Sequence, residues 1–114
     1  RAKALLFPID WPEPFGMVMI EAMACGTPVL ARPRGSVPEV MKNGVSGHLF
    51  ETIDEAVQQV KSLDKFDRTR CRRHFEENFS APRMATDYLR AYESLRGPTS
   101  QRGPHVVPGL KRSA

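Results

Sequence analysis

The sequence predicts an α/β protein, a parallel sheet with flanking helices. Short apolar runs bounded by turn residues alternate with stretches of helical periodicity. The order strand then helix recurs along the chain, and that order implies parallel strands joined by crossover helices. Glycine and proline punctuate the junctions, as at Gly26 and Pro28.

Ala4-Leu5-Leu6-Phe7-Pro8-Ile9 reads as a buried strand starting almost at once, with Pro8 expected to end it early. A helix follows over residues 16–25. Gly26 stands where a left-handed C-terminal cap is expected, and Pro28 prevents continuation. Pro28-Val29-Leu30-Ala31 forms the second strand. Gly35 closes it, and Ser36 is placed to cap a short helix over residues 37–42 that tolerates Pro38 in its first turn. Asn43-Gly44 and Gly47 mark turns before a short third strand, His48-Leu49-Phe50.

Thr52 followed by Glu55 is a capping-box pattern. The helix it opens carries Ile53, Ala56, Val57, Val60 and Leu63 on one stripe. A further helix over residues 68–78 presents Cys71 and Phe75, with Arg68, Arg70, Arg72 and Arg73 read mainly as a solvated face beside Glu76 and Glu77. Ser80 is expected to cap the last helix, whose apolar face is Met84, Tyr88, Leu89, Tyr92 and Leu95, and Gly97-Pro98 ends it. Phe7, Phe50, Tyr88 and Tyr92 are expected in the core. Residues 1–96 thus read as one domain and 97–114 as a disordered basic tail.

Forty percent apolar content with 26% charge is ordinary globular composition. No apolar run approaches the roughly 20 residues that span a bilayer. Cys25 and Cys71 fit no metal or redox spacing, so reduced thiols and a cytoplasmic location are the default. His48, His74 and His105 share no spacing, and no metal role is assigned. The net charge of +4 suits a nucleotide ligand, an acidic lipid surface or simple solubility without choosing among them. No nucleic-acid partner is expected. The basic tail admits peripheral contact with the membrane inner face. Position 1 is not Met, and three strands are few for a parallel sheet that must cover both faces and both edges. Both observations lead us to expect the C-terminal piece of a longer protein.

The most informative feature is a pair of glutamates, Glu13 and Glu21, bracketing Pro14-Phe15-Gly16-Met17-Val18-Met19-Ile20. A diphosphate needs N–H donors and positive potential, and a helix N-terminus supplies both. Gly16 lets a ligand approach the backbone closely, so the amides of Gly16, Met17 and Val18 are candidates for phosphates or a sugar ring. A carboxylate accepts two hydrogen bonds at once, which suits vicinal hydroxyls. Glu21 lies on the order of 7 Å from the helix start by the helical rise, a plausible distance from phosphate to ribose. Glu13 sits at the tip of the first strand, where α/β sheets bind ligands. The plainer alternative stays open on spacing alone: a helix cap for Glu13 and a solvated helix residue for Glu21.

With these residues in place, the chain resembles the C-terminal, donor-binding domain of retaining glycosyltransferases of family four, which have the GT-B fold. Glu13 and Glu21 match that family's Glu, seven residues, Glu signature. Trp11 to Gly16 and Glu21-Ala22-Met23-Ala24-Cys25-Gly26-Thr27-Pro28-Val29 look like its donor-site segment. Arg34-Gly35-Ser36-Val37-Pro38-Glu39-Val40 and Asn43-Gly44-Val45-Ser46-Gly47 resemble what normally follows. The likeness covers roughly residues 2–96.

The resemblance implies the partial C-terminal half of a GT-B fold with a Rossmann-like sheet. It implies a nucleoside diphosphate sugar donor, UDP-sugar by default, a hexose moved to an unidentified acceptor hydroxyl, and no cofactor. Glu13, also the catalytic candidate, would contact the donor sugar. Phe15, Gly16 and Met17 would offer amides to that sugar, Met17 and Val18 would lie beside the diphosphate, and Glu21 would hold the ribose. Asp10 and Trp11 would shape the loop. Gly35 and Glu39 would be turn and helix-start residues. Such enzymes place an Arg and a Lys on the donor phosphates from an earlier segment and use an N-terminal domain, so the 114-residue piece alone is expected to be inactive. The competing class is a non-catalytic nucleotide-sugar-binding or regulatory module.

Overall fold

A computed structural model describes residues 2–96. Arg1, the tail over 97–114, the Gly97-Pro98 stop and His105 lie outside the described residues.

Three short strands, β1 (Leu5–Phe7), β2 (Val29–Ala31) and β3 (Gly47–Leu49), form a parallel sheet in the order β1-β2-β3. Leu5, Val29 and Gly47 stand in register, as do Phe7, Ala31 and Leu49. β1 ends before Pro8, which has no N–H to give a ladder. The connections are α1 (Met17–Ala24) and the short α2 (Val37–Val40). After β3 come α3 (Ile53–Ser62), a 3-10 turn over Leu63–Lys65, α4 (Arg68–Asn78) and α5 (Ala81–Leu95).

The core lies on one face of the sheet. Met19 and Met23, one turn apart on α1, pack with Val29, Ala31, Val37, Val40, Met41, Ile9 and Cys71. Removing each methionine from water contributes about 1.5–3 kcal/mol. Cys71 on α4 is fully buried, and its Sγ lies 3.6 Å from the carbonyl oxygens of Thr27 and Ser46. Burial pushes that thiol up to about 11. Both cysteines are free thiols.

Caps divide by locality. Thr52 forms the full capping box, accepting from the Glu55 amide while Glu55 accepts from the Thr52 amide. Asp67 caps α4 through its side chain, accepting from the amides of Thr69 and Arg70. Ser36 and Ser80 precede their helices as expected but make no side-chain cap bond. The Ser36 hydroxyl is instead buried without a partner, while its backbone amide turns to the loop that carries Glu13.

The α3 stripe is apolar and largely open: Ile53 is 81% exposed, and with Val57 and Val60 it lines an open apolar groove with Leu6, Pro8 and Phe50. Two sequence expectations are corrected. Tyr88 and Tyr92 are exposed and not core, with ring centroids 6.1 Å apart on a helix that buries no residue. The arginine-rich face of α4 is only partly solvated. Arg68 reaches the carbonyls of Ala2 and Lys3 and the Thr27 hydroxyl, and Arg72 donates to Glu76 and to the Ala24 carbonyl. These bonds tie α4 to the start of the chain and to the end of α1. Phe7 is half-buried and Phe50 buried, close to expectation.

Candidate functional site

The loop from Pro8 to Phe15 leaves the carboxyl end of β1 and enters α1. Gly16 makes that entry possible. As N-cap it holds φ 74° and ψ 60°, a left-handed conformation unfavourable to residues with a Cβ. A Cβ there would lie 2.5 Å from the Met19 methyl. Phe15 anchors the loop by an edge-to-face contact with Phe79, centroids 6.5 Å apart.

Glu13 is half-buried and held from several sides. The Gly16 amide donates to its Oε1 at 3.0 Å, and the Trp11 indole N–H donates to its Oε2 at 3.1 Å. Its backbone carbonyl accepts from the Ser36 amide at 2.8 Å. Gly35, at φ 56°, packs directly on the backbone of Pro12 and Glu13, and an added Cβ would stand 2.6 Å from the Pro12 carbonyl carbon. The loop after β2 therefore supports the loop after β1. Gly35, expected in a turn, also makes this contact.

The first-turn amides of a helix have no partner within it. At α1 the Gly16 amide is taken by Glu13, so the amides of Met17 and Val18 are the ones left to a ligand. Met17, Val18 and Glu21 are exposed, while Met19 and Met23 face the core. Residues three and four apart share a helix face, which places Glu21 on the side of Met17 and Val18. By the helical rise it stands about 6 Å further along the axis than Met17. The six residues singled out in the sequence, Glu13, Phe15, Gly16, Met17, Val18 and Glu21, thus occupy one loop-to-helix junction at the carboxyl edge of the sheet.

Basic side chains nearby are paired. Arg32 donates to Asp10 at 2.7 Å. Arg34 makes two bonds to Glu51, at 3.0 and 2.8 Å, and holds that carboxyl below its usual range. Neither of the two described histidines hydrogen-bonds a residue of the junction. His48 packs edge-on against Phe66, and burial lowers its imidazole from the usual range. His74 lies 3.2 Å from the Val40 carbonyl. Among the described residues no group of three or more His, Cys, Asp and Glu could hold a metal ion. From the sequence Trp11 is a loop-shaping residue with no chemistry of its own. Its nearness to Glu13, two positions on, was the signal, but the bond depends on side-chain rotamers that a sequence does not display.

This architecture recurs in a solved structure. The chain superposes on sucrose-phosphate synthase from Thermosynechococcus elongatus with a TM-score of 0.68 and 28% identity, over 82% of this chain and 25% of that one. The parallel sheet and its helices are therefore part of a GT-B fold. The chain belongs to the family described as glycosyl transferases group 1, whose model matches residues 1–78. It is 34% identical to spore coat protein SA of Bacillus subtilis, over 76% of this chain and 26% of that protein. It is 32% identical to N-acetyl-alpha-D-glucosaminyl L-malate synthase of Bacillus anthracis, over 77% and 25%. It is 30% identical to D-inositol 3-phosphate glycosyltransferase of Mycolicibacterium smegmatis, over 99% and 27%. The chain thus spans about a quarter of the length of these curated relatives.

Proposed function

We propose that this chain is the donor-binding part of a retaining glycosyltransferase that moves a hexose from a nucleoside diphosphate sugar, UDP-sugar by default, to an acceptor hydroxyl. One observation carries the reading. A carboxylate held in place on the loop before α1, the open amides of that helix, and a second carboxylate on the same exposed face follow one another along one edge of the sheet. They match the order of sugar, diphosphate and ribose in such a donor. The names of the malate synthase and inositol phosphate glycosyltransferase relatives agree with transfer chemistry.

In this reading Glu13 accepts hydrogen bonds from hydroxyls of the transferred sugar. The amides of Met17 and Val18, backed by the helix dipole, stabilise charge on the diphosphate as the glycosidic bond breaks. Glu21 takes the ribose hydroxyls. The reaction draws on no metal. Further cations on the leaving diphosphate and the acceptor site come from parts of a longer parent, including its N-terminal domain, and this chain alone does not transfer sugar. Among the described residues no helix is long and apolar enough to cross a membrane. On the cysteine spacing and the basic tail of the sequence, we place the parent in the cytoplasm, with peripheral contact at the membrane inner face.

The test is donor kinetics of a full-length parent. Glu21→Ala is expected to raise KM for the donor. Glu13→Ala is expected to lower kcat as well, because its grip tightens in the transition state. Unchanged donor kinetics in both variants removes the assignment. Donor binding without any transfer makes the protein a nucleotide-sugar-binding module instead.

A further inference from the structure

Glu13 has little freedom left in its backbone, which Ser36 and Gly35 hold from one side. What remains is rotation of its carboxylate, and two donors act on it. The Gly16 amide takes one lone pair of Oε1, and the Trp11 indole N–H takes one lone pair of Oε2. An ionised carboxylate offers about four acceptor sites, two on each oxygen. One site therefore stays open on each oxygen. A vicinal diol, with two neighbouring hydroxyl donors, needs such a pair.

Trp11 is 55% exposed, so its ring is not placed there chiefly to fill the core. The neighbouring Asp10 does not compete for the indole, because Arg32 holds it. We propose that Trp11 is a positioning residue for sugar recognition: its indole N–H fixes the rotation of the Glu13 carboxylate so that one free acceptor site on each oxygen meets a vicinal diol of the donor sugar. This rests on the reading that Glu13 grips the sugar. Trp11 itself touches neither nucleotide nor phosphate. It acts on the sugar end alone, and that separates it from a residue that merely keeps the loop folded.

Two experiments test it. Trp11 is the single tryptophan of the chain, so one indole N–H resonance reports on this bond in a 15N-labelled sample. Glu13→Gln is expected to move that resonance and to speed its exchange with solvent several-fold; an unmoved resonance overturns the proposal whatever the donor turns out to be. The second experiment uses a full-length parent and a panel of UDP- and GDP-hexoses, with UDP and GDP as sugar-free probes. Trp11→Phe is expected to lower kcat/KM for the preferred donor about tenfold, in line with loss of one charge-assisted hydrogen bond. Affinity for the bare nucleoside diphosphate stays unchanged, and Trp11→His, which restores a ring N–H, recovers part of the loss. Equal losses for donor and bare nucleotide mean a loop-folding role and overturn the proposal. Normal turnover in Trp11→Phe with impaired turnover in Glu13→Ala also overturns it, while leaving the site reading intact. If no member of the panel is turned over by the parent, the site reading fails and the indole resonance still decides the bond.

Discussion

Gly35→Ala is expected to damage the candidate site from outside it. Gly35 makes none of the proposed ligand contacts, yet its φ of 56° and its position against the backbone of Pro12 and Glu13 leave no room for a methyl group. The left-handed conformation alone costs about 1–2 kcal/mol for a residue with a Cβ. Overpacking against backbone adds about 1–3 kcal/mol, since no flexible side-chain end is there to yield. The total, about 2–5 kcal/mol, is a large fraction of the 5–15 kcal/mol typical of a domain. Real Cβ contacts essentially never fall below 3.0 Å, so the Glu13 loop must retreat by several tenths of an ångström. Misplacement on the order of 1 Å can lower a rate by about a hundredfold. Gly44→Ala is the control. Gly44 also has a positive φ, 76°, but a Cβ there meets nothing within 4 Å. It should lose only the conformational term, about 1–2 kcal/mol, and leave donor kinetics alone. Urea unfolding of both variants measures stability, and donor kcat/KM of a full-length parent measures site geometry. Equal destabilisation by the two substitutions, with donor kinetics untouched in Gly35→Ala, would refute the contact argument.

Other expectations follow from single features. Thr52→Ala removes the capping box of α3 and should destabilise that helix by about 1 kcal/mol, read as a lowered urea midpoint with unchanged slope. Cys25 is exposed and Cys71 buried, so a thiol reagent should modify Cys25 quickly and Cys71 only on unfolding; rapid modification of both in the native state contradicts the packing of α4. The Cys71 thiol is raised from 9.0 to about 11 by burial, so the unfolded chain loses this proton first. Stability from this group is whole below pH 9 and declines as pH climbs towards about 11, a decline that Cys71→Ala should remove. Amide exchange across residues 81–95 should be fast in a monomer and slow with rising concentration if α5 self-associates; strong protection throughout in a monomer counts against its exposure.

What the sequence displayed depended on how local each determinant is. The order of strands and helices rests on short apolar runs and their punctuation, and it was readable, including the early stop at Pro8. The Thr52–Glu55 box was readable because both halves lie within one turn. Ser36 has the residue type of a cap, but packing of the loop against Glu13 decides where it points, and its amide is used in place of its hydroxyl. The stripes on α3 and α5 are legible as apolar, but Tyr88 and Tyr92, expected in the core, stand exposed, because periodicity says which face seeks cover and not whether cover is present. Arg68 looked like one of four solvated arginines until folding brought Thr27, 41 positions away, against it. Within the candidate site, the positions of Glu13, Gly16 and Glu21 follow from spacing. The bonds that orient Glu13 depend on rotamers and on a neighbouring loop, neither of which a one-dimensional pattern shows.

The outer side of β1 has a practical consequence. Within the described residues this strand pairs only with β2, so its far edge offers unmated backbone groups, and Leu6 projects beside the groove under α3. An open edge next to a greasy trough is a template for another chain. Produced alone, this stretch should adhere to itself through that side. A charged substitution at Leu6 offers a simple way to keep it dispersed without touching the glutamate bracket.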